Sequence, residues 1–296
     1  MRALLAAFWQ TARLMGAHRR LWVPFLVTVL FEVILLTSIW LAPLPPFSKF
    51  FAPPIRYFFG ERMLHYPWHL WFLYHAMKHT QFVATTLIGA FMTGITCVMV
   101  RQVAEGRSLS FREALVSGSV RYGTTLVLWL LTWASARGAT EAIGALVPHR
   151  AAWVIVWSSV VVTVLLQVLL VYAIPAAVFE GLGWWRALRR GLQEAGRYPF
   201  STFILVGLSS MVVVVLAILV SPTKVANWML STTPELIVIP ALITRLVVLT
   251  VADAFLTVSI AHLWWVHRLP QTSVVYAQGT VRTTPADGSE VRHVIA

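Results

Sequence analysis

Four histidines, His65, His69, His75 and His79, form two i, i+4 pairs within fifteen residues. On a single helix, at 100° per residue, all four fall within an arc of about 120°. Each pair has a spacing that can chelate Zn²⁺, Cu²⁺ or a porphyrin metal. Pro67 stands between the pairs, no cysteine is near, and histidine is also a common polar edge on interfacial helices. No cofactor is therefore expected, with metal or haem-type binding at this group as an alternative. A second set of residues carries charge in apolar surroundings: Glu32, Arg137, Glu141, Arg245 and Asp253. A charge in hydrocarbon costs at least about 2.5 to 3.5 kcal/mol, so such residues pair across a bundle or face a wet cavity. Arg137 and Glu141 are i, i+4 partners. Arg245 and Asp253 lie two helical turns apart, about 12 Å along the axis, which makes Glu32 the expected partner of Arg245. A structural polar clamp is the favoured reading of this network, and an ion or substrate path is the other. A third set, Arg186, Arg189, Arg190 and Arg197, sits on the segment Glu180 to Tyr198, where Leu182, Trp185, Leu188 and Leu192 recur at helical spacing.

The elements that position these groups are membrane spans. Hydrophobic residues make up 58% of the chain and charged residues 11%, against roughly 25% charged in soluble domains. Ala151 to Phe179 is 29 residues without a formal charge, and Pro199 to Val220 is 22; about 20 apolar residues suffice to cross a bilayer. Further spans are expected over Leu21 to Leu41, from about Gln81 to Val100, from near Gly123, and from about Glu235 to Val266. The result is an all-α polytopic membrane protein with six transmembrane helices in residues 1–268. The aromatic, histidine-rich stretch 43–80 forms an outer interfacial or re-entrant cover. Residues 269–296 make a polar tail, disordered or forming short strands.

Charge sets the orientation. Of the 23 Lys and Arg, 15 fall in segments 1–20, 101–122, 180–198 and 267–296, 7 in the opposite loops, and Arg245 in a span. The positive-inside rule then places both termini in the cytosol, in an inner membrane. The net charge of +12 points to anionic lipid rather than nucleic acid, because the arginines cluster at span ends. Cys97 is the single cysteine, so no internal disulfide forms. No Walker loop, G-x-S-x-G, H-E-x-x-H or C-x-x-C is present, and enzymatic activity is not expected.

A repeat organises the chain. Ala114-Leu115 followed by Gly118 and Arg121-Tyr122 parallels Ala187-Leu188 followed by Gly191 and Arg197-Tyr198, and a fainter copy runs from Arg2-Ala3-Leu4 to Arg19-Arg20. Three units, each a cytosolic amphipathic surface helix followed by a transmembrane hairpin, are expected. With Pro175-Ala-Ala-Val-Phe-Glu180-Gly-Leu-Gly before the third copy, this pattern resembles the six-helix bacterial membrane proteins related to the membrane domain of glycerophosphoryl diester phosphodiesterase, over residues 1 to 268. The resemblance implies architecture. The catalytic domain to which that membrane domain is sometimes fused is absent, so its activity does not carry over. The expected role is that of a non-enzymatic accessory or assembly subunit of a larger membrane complex. The alternative is a permease-like component whose basic surface helices dock on a cytosolic ATPase.

Overall fold

The computed structural model describes residues 2–146, 152–220, 222–228, 233–266, 274–277 and 280–283. These residues are almost wholly helical: α1 (Arg2–Ala17), α2 (Val23–Trp40), α3 (Ser48–Phe59), α4 (Trp68–Ala84), α5 (Ala90–Ala104), α6 (Phe111–Leu146), α7 (Ala152–Leu170), α8 (Ala173–Glu180), α9 (Trp184–Arg197), α10 (Pro199–Leu219), α11 (Pro222–Trp228) and α12 (Glu235–Val266). The tail holds one antiparallel pair, β1 (Val274–Ala277) with β2 (Thr280–Thr283), in which Val274 faces Thr283.

Six helical stretches are long and apolar enough to cross a membrane: Arg19–Trp40, Trp68–Ala104, Phe111–Leu146, Trp157–Glu180, Pro199–Leu216 and Glu235–Trp265. One of them, α2, has its polarity inverted relative to a soluble helix. On α2, Leu26, Leu30 and Ile34 face outward while Glu32 is only 3% exposed. The stretches form a ring, with α2 on α4, α5 on α6, α6 on α7, α7 on α10 and α10 on α12, and α12 closes it against α2 and α5. Two buried clusters form the core near α1 and near α9. Leu21, Ile95, Met99, Val100, Ala114, Ala254, Val258 and Ala261 belong to the first.

Three expected boundaries differ. No break separates a second surface helix from the third span, because the residues after Phe111 continue as one helix, α6, to Leu146. The real interruption comes earlier, at Gly106, whose φ of +69° ends the preceding helix. The expected cover over residues 43–80 is divided. α3 and the short turn Glu61–Leu64 pack over one end of the bundle, whereas α4 runs on into the second candidate span. The third difference concerns α9, whose packed side is Ala187, Gly191, Glu194 and Ala195. Trp185 and Leu192, from the expected apolar stripe, are 50% and 40% exposed. Successive 100° steps place that stripe roughly 110° around the helix from the packed side.

Two of the long helices are locally broken. Between α4 and α5, Thr85–Gly89 forms a π-helical turn. The Thr85 hydroxyl donates back to the carbonyls of Gln81 at 2.7 Å and Phe82 at 3.3 Å, which is how Thr loosens the regular ladder of a helix. Between α7 and α8 the helix stops at Val171 and Tyr172. Pro175 follows closely; it supplies no backbone N–H, and its ring crowds the carbonyl four residues earlier, at Val171. Tyr172 is 1% exposed, and its hydroxyl lies 2.9 Å from the Thr202 hydroxyl.

Candidate functional site

The ring holds two adjoining, partly open cavities. The first, about 480 Å³, takes residues from all six candidate spans: Thr28 and Glu32 from α2, Gln81 and Phe82 from α4, Thr85 and Gly89 from the π turn, Thr93 from α5, Trp129 and Trp133 from α6, Gln167 from α7, Ser209 from α10, and Arg245 and Asp253 from α12. The second, about 400 Å³, is more apolar, with Cys97, Leu170, Ile174, Pro175, Leu256 and Ile260 in its wall. Thr93, Trp129, Trp133, Gln167 and Asp253 line both. The two are therefore halves of one chamber, polar on one side of that set and apolar on the other.

Both helix breaks belong to its wall. Thr85 and Gly89 of the π turn border the polar half. Val171, Ile174 and Pro175 border the apolar half. Discontinuous helices at mid-depth, lining a cavity, are a recurrent way of building a binding site inside a bundle.

The charged residues of the chamber are unequally served. Glu32 and Arg245 share the polar half, close enough for their charges to interact. Glu32 is buried, yet its Oε1 has no hydrogen-bond partner among the described residues. A carboxylate oxygen sealed off in this way is costly to leave unpaired. Asp253 is exposed to the chamber, and none of the ion pairs among the described residues includes it. A short polar link, Ser210 Oγ donating to Gln167 Oε1 at 3.3 Å, joins α10 to α7 beside it.

Arg137 and Glu141, expected at depth, lie elsewhere. They pair with each other, as their spacing suggests, but their side chains are 51% and 64% exposed and neither lines the chamber. The 36 residues of α6 make it about 54 Å long. That exceeds a hydrocarbon core of roughly 30 Å, so residues near the end of α6 need not be buried.

The four histidines do not share one helix. His65 precedes α4, which starts after Pro67, and its Nε2 lies 3.7 Å from Glu61 Oε1. His69 lies against Tyr66, with ring centroids 5.8 Å apart. His75 Nδ1 is 2.9 Å from the Trp71 carbonyl, and its ring is 4.3 Å from the indole of Trp71. His79 is exposed. Among the described residues, no three His, Cys, Asp or Glu side chains gather to hold a metal ion. Nearby, the Tyr66 hydroxyl donates to Glu235 Oε2 at 2.8 Å, and this bond holds the phenol above its usual titration range.

The arginines of α9 divide by partner. Arg190 bonds toward Glu194 at 3.3 Å and Glu180 at 3.6 Å, and Arg197 lies 3.4 Å from Glu194. Arg186 and Arg189 are exposed, and Arg189 sits 5.1 Å from the centre of the Trp185 ring. The opposite face of α9 meets the break in the α7–α8 helix. A Cβ at Gly191 would stand 2.7 Å from Ala173 N and 2.8 Å from Ala173 Cα. α9 thus rests directly on backbone one residue from Ile174, in the wall of the chamber.

Trp129, Trp133 and Gln167 were not among the residues singled out from sequence. Their signals were there: Gln167 is the one amide in the 29-residue uncharged run, and Trp129 and Trp133 are i, i+4 partners away from the span ends, where tryptophans usually collect. Compared with family models, curated proteins and solved structures, the chain gives no match.

Proposed function

We propose that the chain is a permease-like component of a membrane transport assembly, non-enzymatic in itself, with a solute site in the central chamber. One observation carries this reading: the chamber draws on all six candidate spans and is bordered by both helix breaks and by a carboxylate, Asp253, that has no ion-pair partner among the described residues. A purely structural clamp would have its charges mutually satisfied. In this reading the chain lies in the inner membrane with both termini cytosolic, and α9 works as a coupling helix. Its exposed Arg186 and Arg189 meet anionic lipid or a cytosolic ATPase, while its small-residue face passes movement to α8.

The outer layer supports a second role, attachment to other subunits of a complex. Phe50, Tyr57 and Phe58 on α3 are 76%, 83% and 72% exposed, an aromatic face open to a neighbouring subunit.

Access to the chamber tests the transport reading. In a Cys97→Ser background, Asp253→Cys is expected to react with membrane-impermeant thiosulfonates added to one side of sealed vesicles. A cysteine that reacts from neither side, in protein that still folds, would mean a closed clamp and leave the subunit role alone.

A further inference from the structure

The chamber has a definite chemical character. Its charged lining residues are Glu32, Arg245 and Asp253. Arg245 is the electrostatic neighbour of Glu32, which leaves the Asp253 carboxylate without a cation among them. The same position is aromatic: Phe82 packs on Trp133 with ring centroids 4.4 Å apart and on Trp129 at 5.9 Å, and both indoles line the chamber with Asp253. A carboxylate and aromatic π-systems together attract an organic cation, whose charge is spread and weakly hydrated. The wall also holds oxygen donors, Thr85, Thr93 and Gln167 among them, but indole rings beside the carboxylate favour a large, weakly hydrated cation over a strongly hydrated metal ion. Beyond Asp253 the apolar half, with Leu170, Ile174, Leu256 and Ile260, offers space for a hydrocarbon body.

We propose that this chamber binds a lipophilic organic cation, a substituted ammonium or an ion of similar type, with its charge held by Asp253, Trp129 and Trp133 and its apolar body in the cavity beyond. The proposal deepens the transport reading by naming the substrate class, and it rests on the same chamber. Glu32 lines the polar half as the second acidic residue of the chamber.

The test uses the full chain in lipid nanodiscs with tetraphenylphosphonium as probe, measured by equilibrium dialysis. Saturable binding is expected. Asp253→Asn should weaken it at least about tenfold, and Trp133→Leu by roughly two- to thirtyfold, the span of cation–π contributions, with Trp133→Phe between that and the parent. Should Asp253→Asn fail to fold, judged by its melting profile, the Trp133 pair carries the test by the order of its affinities. Equal binding of neutral triphenylphosphine oxide, displacement by sodium or magnesium ions at the concentrations that serve for organic cations, or unchanged affinity in folded Asp253→Asn overturns the proposal. Proteoliposome uptake separates the two ideas. Binding without uptake sinks the transport reading and leaves the site standing, whereas uptake of other solutes with no binding of the probe sinks the site alone.

Discussion

The seating of α9 on the broken α7–α8 helix makes a prediction whose sign is open to measurement. Gly→Ala within a helix ordinarily stabilises by about 0.8 to 1.0 kcal/mol, because alanine loses less backbone entropy. At Gly191 the new methyl would lie 2.7 Å from Ala173 N, 2.8 Å from Ala173 Cα and 3.0 Å from the Tyr172 carbonyl carbon. All three are backbone atoms, so no rotamer change relieves the overlap, and α9 must move away from α8 by roughly half an ångström or more to restore ordinary contact. Overpacking of this kind costs typically about 1 to 3 kcal/mol, and rigid backbone on the far side puts the cost toward the upper end. The net effect of Gly191→Ala is then a loss of about 1 to 2 kcal/mol. Gly196, in the same helix, has nothing within 4 Å of its notional Cβ, so Gly196→Ala should gain about 0.5 to 1 kcal/mol. The two substitutions should therefore shift the melting temperature of the purified protein in opposite directions, read by intrinsic fluorescence in one detergent. If Gly191→Ala stabilises as much as Gly196→Ala, α9 does not rest on Ala173, and the link from surface helix to chamber is wrong.

Two further outcomes follow from the charges. Arg245→Ala should lower folded yield more than the double change Glu32→Gln with Arg245→Ala, because the single change strands a carboxylate in a site 3% exposed, a loss of about 3 to 5 kcal/mol for one member of a buried pair; additive effects in the double mutant would show that the two are uncoupled. Replacing Arg186 and Arg189 together by Glu should cut binding to anionic vesicles, at roughly 1 kcal/mol per residue near a charged surface, while binding to neutral vesicles changes little; equal loss on both would indicate unfolding of α9 instead.

Much of the architecture was legible because apolar run length is a coarse signal and survives local ambiguity. The six stretches could be counted from sequence, whereas the interiors of the helices could not be divided correctly. Five charges set residues 105–122 apart from the uncharged stretch that follows, but charge does not say whether the helix breaks between them, since Ala114 and Gly118 suit a surface helix and a long continuous one equally well. The repeat Ala-x-x-x-Gly was visible in both copies, but its meaning needed coordinates. In each copy the small residues form a close-approach face, Ala114 and Gly118 against Ile95, and Ala187 and Gly191 against Ala173. The stripe of Leu and Trp on α9 drew attention away from that face, because in water large apolar residues mark the buried side. Beside lipid the rule weakens, and small residues mark where backbones meet.

The same shift of rule accounts for what was and was not seen of the chamber. Charges stand out in an apolar sequence, so Glu32, Arg245 and Asp253 were found. Arg137 and Glu141 were found for the same reason, yet they lie on the outside of α6, since a charge in a long helix signals depth only when the helix is no longer than the hydrocarbon it crosses. Trp129, Trp133 and Gln167 were missed because uncharged aromatic and amide residues do not stand out among apolar neighbours. They are nevertheless the residues that, with Thr93 and Asp253, join the two halves of the chamber. Asp253→Asn removes the charge with little change of cavity shape, and so reports on the carboxylate but not on the indoles. The contrast between Trp133→Phe and Trp133→Leu isolates the aromatic contribution, because both remove the indole while only the first keeps a π-system facing the ligand.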